Sequence, residues 1–232
     1  MRVKILPNTT KKWARKLAKS VVLFLRKRGF DVVRKNADAT ITIGGDGTLL
    51  YYWFRGELEG AVLGIGSESS YLCQLKKNNW KENIERILRR KKTEKRTLLD
   101  VSINKKTYKA INDVVLHTTN YRAINIDVFI DRKKHSFFGD GVIVSTPTGS
   151  SGYAYSAGAN ILKPTARKFV IAPICPYMRR FSPTTIDDKS TVIIKSNDKA
   201  ALVIDGVFIK NIKNKAVKIK KGGTWGYLLK KS

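Results

Sequence analysis

Five consecutive residues, Gly44-Gly45-Asp46-Gly47-Thr48, place a carboxylate among glycines directly after the apolar run Ala39 to Ile43. Glycine lets the backbone turn sharply and brings N–H groups against phosphate oxygens with no Cβ in the way. The expected chemistry is phosphoryl transfer, with Gly44, Gly45, Gly47 and Thr48 serving phosphate groups and Asp46 accepting the proton of a hydroxyl nucleophile. A Gly-rich β-turn with an exposed Asp accounts for the same five residues. No Gly-Lys-Ser/Thr follows, which excludes a Walker loop, and the spacing is not that of Gly-x-Gly-x-x-Gly.

A longer stretch runs from Gly139-Asp140-Gly141 through Ser145-Thr146-Pro147-Thr148-Gly149-Ser150 to Ser156-Ala157-Gly158. A strand between two small-residue loops gathers hydroxyls, backbone N–H groups and the ring of Tyr153, a combination able to wrap a nucleoside. The other reading is a surface loop, but Pro147 and the apolar strand beside it stiffen the segment. The pair Asn112-Asp113 opens or interrupts an apolar strand. Its amide offers a donor and an acceptor to a base and its carboxylate can hold a ribose, although an Asx-type turn explains the pair equally. His117 receives no role.

Elements of alternating type must position these residues. Arg2 to Leu6 reads as a strand; Thr9 and Thr10 offer N-caps for a helix through Gly29, with Trp13, Leu17, Val21 and Phe24 on one face. Strands follow at Phe30 to Arg34, Ala39 to Ile43 and Ala61 to Ile65, then a helix at Trp80 to Arg90. This is the pattern of a parallel α/β domain whose ligand crevice lies at the carboxyl ends of its strands. After about Lys92 the period becomes two, with strands at 99–103, 110–116, 124–130, 142–145, 168–172, 191–195, 201–204 and 216–219. The boundary is placed at 95/96, giving domains 1–95 and 96–232, with a last strand around Trp225 to Leu229 packing back on the first domain.

The chain has 46 Lys+Arg against 18 Asp+Glu, a formal charge of +28. Such a balance suits polyanions such as nucleotides, polyphosphate or nucleic acid, and equally a Lys-rich surface. Cys73 and Cys175 stand far apart and read as small core residues; His117 and His135 lack metal-ligand spacing, so no metal site is expected. The longest apolar run, Val21 to Leu25, is far short of the roughly 18 residues of a membrane span. The expectation is a soluble, cytoplasmic protein.

Taken in order, Gly44-Gly45-Asp46-Gly47-Thr48, Asn112-Asp113, Asp140-Gly141, Thr146-Pro147-Thr148-Gly149-Ser150, Ser156-Ala157-Gly158 and Pro173-Ile174-Cys175-Pro176 resemble the NAD kinase family. Lipid kinases and phosphofructokinases share Gly-Gly-Asp-Gly, whereas the Thr-Pro-Thr-Gly-Ser loop is specific. The resemblance implies an N-terminal Rossmann-like α/β domain followed by a C-terminal β-sandwich-like domain, with NAD bound between them and phosphorylated on its adenosine ribose 2′-hydroxyl. It implies Asp46 as general base and Asp46, Gly47, Tyr71, Asn112, Asp113, Asp140, Ser151, Gly152, Tyr153, Ala154 and Ser156 as NAD-binding residues. ATP or polyphosphate would be the donor, Mg²⁺ or another divalent cation would travel with it, and the assembly would be a homodimer or homotetramer. Where the family has Gly-Ile-Asn and then Gly-Phe-Leu, this chain has Gly64-Ile65-Gly66 and Ser70-Tyr71-Leu72; after Asp205-Gly206 stands Val207, and no site is carried over there. The competing readings are a lipid or sugar kinase, which would not need the Thr146–Ser150 loop, and a basic nucleic-acid-binding module, which lacks an aromatic-interleaved basic motif.

Overall fold

The computed structural model describes residues 1–228. It divides the chain into an N-terminal unit, Met1–Lys95 with residues 225–228, and a C-terminal unit, Arg96–Thr224. Residue 229 of the expected last strand lies outside the described residues.

In the N-terminal unit the order is β1 (Arg2–Pro7), α1 (Lys12–Lys27), β2 (Asp31–Val32), β3 (Ala39–Ile43), α2 (Asp46–Phe54), β4 (Ala61–Gly66), β5 (Leu75–Lys76) and α3 (Trp80–Arg90). Strands β2, β1, β3 and β4 lie side by side and parallel, so their carboxyl ends share one edge. Val3, Ile41, Ile43, Leu63 and Ile65 from the sheet pack with Ala14, Ala18, Val21 and Leu25 of α1 and Ile84, Ile87 and Leu88 of α3. Small residues on the inner stripe of α1 let it lie close to the sheet, while Trp13, Leu17 and Phe24 flank the core half-buried.

Three local features differ from the expectations. Helix α1 is not capped by Thr9 or Thr10: Asn8 Oδ1 accepts the N–H groups of Thr10 at 3.0 Å and Lys11 at 3.1 Å, an Asx-type turn, and the helix starts at Lys12. The strand expected over 30–34 shrinks to Asp31–Val32. Asp46 does not sit in a simple turn but is the first residue of helix α2.

The C-terminal unit contains β6 (Thr93–Ile103), β7 (Lys106–Ala110), β8 (Asp113–Thr118), β9 (Ile124–Ile130), β10 (Lys133–Gly139) and β11 (Gly141–Ser145). A 3-10 turn at Gly149–Ser151 and the short helix α4 (Tyr153–Ser156) follow, then β12 (Lys168–Ile174), β13 (Thr184–Asp187), β14 (Val192–Lys195), β15 (Ala200–Ile204), β16 (Val207–Ile212) and β17 (Val217–Leu228). One antiparallel sheet has the order β13-β12-β11-β8-β15-β16; opposite it, β10-β9-β14-β17 carries β6 and β7. Alternate residues of the two sheets, among them Val114, Leu116, Val142, Val144 and Ile171 against Leu99, Val101, Ile126, Val128 and Ile194, form one sandwich core. Residues of the opposite alternation, Val115, Ile143, Val170 and Ala172, pack instead beneath Ala154 and Ala159. That second layer is what seats the small-residue loop. The expected strand 110–116 is broken at Ile111–Asn112, and Cys175 is exposed with φ 44° rather than a core residue, whereas Cys73 is buried.

Candidate active site

At the end of β3 the chain turns through Gly44 (φ 154°) and Gly45 (φ 111°) into α2. A Cβ at Gly44 would lie 2.4 Å from Thr48 Oγ1 and 2.6 Å from Asn8 Cβ, so only glycine fits between those side chains. The loop is braced from the neighbouring strand end: Asn8 Nδ2 donates to Thr48 Oγ1 at 3.0 Å and Lys11 Nζ to the Gly44 carbonyl at 3.0 Å. Thr48 is therefore buried as a brace, while Gly47 is exposed. The start of a helix leaves N–H groups without intrahelical acceptors and carries a positive dipole end, the setting that takes phosphate.

Asp46 is half-buried, and its carboxylate is held from the loop after β4. Tyr71 N–H donates to Oδ2 at 2.7 Å and Leu72 N–H to Oδ1 at 2.9 Å, leaving the Tyr71 ring exposed. That loop fits only because residue 66 is glycine: a Cβ there would come within 2.2 Å of Ser70 Oγ and 2.4 Å of Ser70 Cβ. The two departures at Gly66 and Ser70 are thus one exchange, with the Ser70 side chain lying where a residue-66 side chain would begin.

In the C-terminal unit the groups around Asn112-Asp113 are organised by Asp205, a residue the sequence reading passed over. Its carboxylate accepts the N–H groups of Ile111 (2.8 Å), Asn112 (2.7 Å) and Asp113 (3.1 Å), which is why the strand is interrupted there. Asp205 (φ 49°) and Gly206 (φ 78°) form the tight turn between β15 and β16, so the Asp-Gly hairpin was legible but the reach of its side chain was not. The loop after β11 is fastened to the same point: Thr146 N–H and Ser145 Oγ donate to the Asn112 carbonyl at 2.8 and 3.1 Å, and Thr146 Oγ1 to that of Ile111. A Cβ at Gly149 would meet the Asn112 carbonyl oxygen at 2.3 Å. Residues 141–150 are buried throughout, which excludes a floppy surface loop, and Ser151, Gly152, Tyr153, Ala154 and Ser156 follow directly as the 3-10 turn and α4.

Burial and the charge of Asp205 push the Asp113 carboxyl up to about 7, and burial raises Asp205 to about 6 against the pull of its three N–H donors. Asp205 is the hydrogen-bonded carboxylate of the two, so the proton of the pair belongs on Asp113. Asn112 Oδ1 is buried without a partner, an acceptor available to a ligand. The Tyr153 phenol is raised by partial burial and then by Cys175, Asp140 and Asp113, and its ring stays partly exposed. Asp140 is anchored through its backbone, donating to Ile174 at 2.9 Å and accepting from Thr118 at 2.7 Å. The structure thus collects the candidates into two groups, Gly44 to Thr48 with Tyr71, and Asn112, Asp113 and Asp140 with the loop 151–156. Among the described residues no three His, Cys, Asp or Glu side chains are grouped to hold a metal ion.

The profile of the ATP-NAD kinase C-terminal domain matches residues 111–227. An NAD kinase of Methanothermobacter thermautotrophicus is 35% identical over 198 residues, covering 81% of this chain and 69% of that protein. One from Thermoplasma volcanium is 35% identical over 209 residues, covering 87% and 74%. Among solved structures, an NAD kinase from Archaeoglobus fulgidus in complex with ATP aligns with a TM-score of 0.86 at 21% identity over 99% of this chain and 94% of its own. Yeast NADH kinase complexed with NADH aligns at 0.85 and 21% over 100% and 84%. At that identity the structural likeness speaks for the fold.

Proposed function

The chain belongs to the NAD kinase family, and from that premise we propose that it phosphorylates the adenosine ribose 2′-hydroxyl of NAD to give NADP, with Asp46 as the general base. The observation that carries the assignment of Asp46 is its station at the first residue of α2, after two glycines, where the N-terminal end of the helix suits the donor phosphates. Tyr71 and Leu72 occupy two of the roughly four acceptor positions of the carboxylate and fix its plane. A ribose hydroxyl can give its proton to a remaining position as the O–P bond forms and the bond to the leaving phosphate breaks.

The groups of the C-terminal unit are assigned to the nucleoside. Tyr153 offers its face, Asn112 Oδ1 an acceptor, protonated Asp113 a donor, and Asp140 with Ser151, Gly152, Ala154 and Ser156 the remaining contacts. ATP or polyphosphate is the donor. A divalent cation such as Mg²⁺ enters with the donor phosphates, since among the described residues no side-chain cluster is grouped to hold it independently. The same reading gives a cytoplasmic homodimer or homotetramer. A lipid or sugar kinase is disfavoured by the family match across the C-terminal unit, and a nucleic-acid module by the absence of a stacking motif.

The test is NADP formation by the purified protein with ATP and with polyphosphate, each with and without Mg²⁺, repeated for Asp46→Asn. The variant should lose at least about two orders of magnitude in turnover, the usual contribution of a general base. Turnover near that of the parent removes Asp46 from the role, and no NADP with any donor overturns the activity itself.

A further inference from the structure

Lys76 stands outside the groups assigned to catalysis and binding, yet its side chain meets the loop that holds Asp46. The Ser70 carbonyl accepts Lys76 Nζ, and the N–H of the same peptide group, that of Tyr71, donates to Asp46 Oδ2 at 2.7 Å. Among the described residues no peptide bond is cis, so that C=O and that N–H point in opposite directions. Lys76 and Asp46 are thus bonded to opposite sides of one planar group. The lysine is itself held in place: Leu75 and Lys76 form β5, parallel to Ile65 and Gly66 of β4, and the Lys76 N–H donates to Asn79 Oδ1 at 3.1 Å while the Lys77 N–H donates to the Gly66 carbonyl at 2.8 Å. Residues 67–74 therefore form a loop closed at its base by the β4 and β5 pair, and the half-buried Lys76 side chain reaches from that base to Ser70. Ser70 has little room to shift, since a Cβ on Gly66 would come 2.4 Å from its own Cβ and its hydroxyl lies 3.2 Å from that of Ser67.

We propose that Lys76 is a positioning residue for the phosphoryl-transfer reaction: its ammonium group fixes the Ser70–Tyr71 peptide, and that peptide sets the plane of the Asp46 carboxylate for the substrate hydroxyl. A hydrogen bond from a charged donor is roughly twice as strong as a neutral one, and bonds joined in a chain polarise one another. The bond from Lys76 therefore both anchors the peptide and strengthens the Tyr71 N–H as a donor to Asp46. Without the ammonium the peptide is free to tilt, and one of the two N–H bonds that orient the carboxylate is weakened. The inference rests on Asp46 being the general base.

The experiment is a double-mutant cycle on the full chain, measuring kcat and KM for NAD and ATP. Lys76→Met keeps most of the stem and removes the ammonium; it should lower kcat about tenfold, as expected of a misdirected catalytic group, with both KM values within about twofold. Lys76→Arg, which returns a charged donor to the carbonyl, should recover most of the loss. In the Asp46→Asn background Lys76→Met should change nothing further, because the group it positions is gone. Lys76→Gln, which keeps a neutral N–H donor, should show a smaller kcat loss that also vanishes in that background; it serves where Lys76→Met does not fold. A parent-like kcat in Lys76→Met, or the same fractional loss with and without Asp46, overturns the positioning role while Asp46→Asn remains impaired. A raised KM for ATP with kcat retained makes Lys76 a direct contact of the donor phosphates and overturns it as well. If Asp46→Asn itself turns over normally, the base assignment fails first and the positioning role falls with it.

Discussion

Two carboxyl groups share the buried corner at Asn112, and their protonation sets a pH signature. Asp113 and Asp205 hold their protons to about 7 and about 6, against an ordinary 3.8, so between about pH 4 and 7 the folded chain binds more protons than the unfolded one. By linkage, their contribution to stability is fully present below pH 4 and declines as pH rises through that window. Asp113→Asn removes the larger part of this decline. Urea unfolding should find the variant more stable than the parent at pH 8 by a few kcal/mol, at about 1.4 kcal/mol per pKa unit, with a smaller gain at pH 5. Equal gains at both pH values would sink the argument. The cysteines differ in the same local terms: Cys175 is exposed and Cys73 is buried with a raised thiol, so a thiol reagent should modify one cysteine in the native protein and both after unfolding. Modification of both at equal rates contradicts this. Asp46 stands out in the sequence by the glycines on either side of it, and Asn112-Asp113 as a polar pair in an apolar run. Asp205 does not, because its partners stand over 90 residues away and only folding reveals which N–H groups a hairpin carboxylate reaches.

Among elements, β4 and the loop behind it fit closely. Gly66→Asn would drive a side chain into Ser70 and should destabilise the chain by about 1–3 kcal/mol, the usual range for overpacking. Ser70→Gly added to that variant should return part of the loss, seen as a recovered urea midpoint; additive losses would mean the two positions do not share space. Strands β1, β3 and β4 and helix α3 follow from periodicity because their apolar faces are unambiguous. Helix α2 does not, for its first turn is glycine-rich and its body, Leu49-Leu50-Tyr51-Tyr52-Trp53-Phe54, has no helical alternation of polar and apolar positions. The break in the strand expected over 110–116 had no signal beyond Asn112-Asp113, since its cause is the carboxylate of Asp205.

The charge of +28 is spread through both units, and its effect belongs to the molecule as a whole. A positive field draws anions in proportion to their charge and is screened by salt over about 8–10 Å at ordinary ionic strength. The kcat/KM for ATP should therefore fall more steeply with added KCl than that for NAD, which carries fewer negative charges; parallel slopes would show that the charge does not steer the donor. Among the described residues no helix is long and apolar enough to cross a membrane. Strand β17 has a different consequence, one of timing. It begins against β14 and ends with Tyr227 paired to Val62 of β4, where Trp225 also meets the ring of Trp53 at 5.8 Å. A ribosome delivers that last stretch roughly 160 residues after β4, some 8–30 s later at the usual 5–20 residues per second. Throughout those seconds the nascent α/β unit carries an unpaired, apolar strand side at Val62. The newest piece of the chain closes one of its oldest edges, and the interval before closure is when a growing polypeptide is most exposed to pairing with the wrong strand.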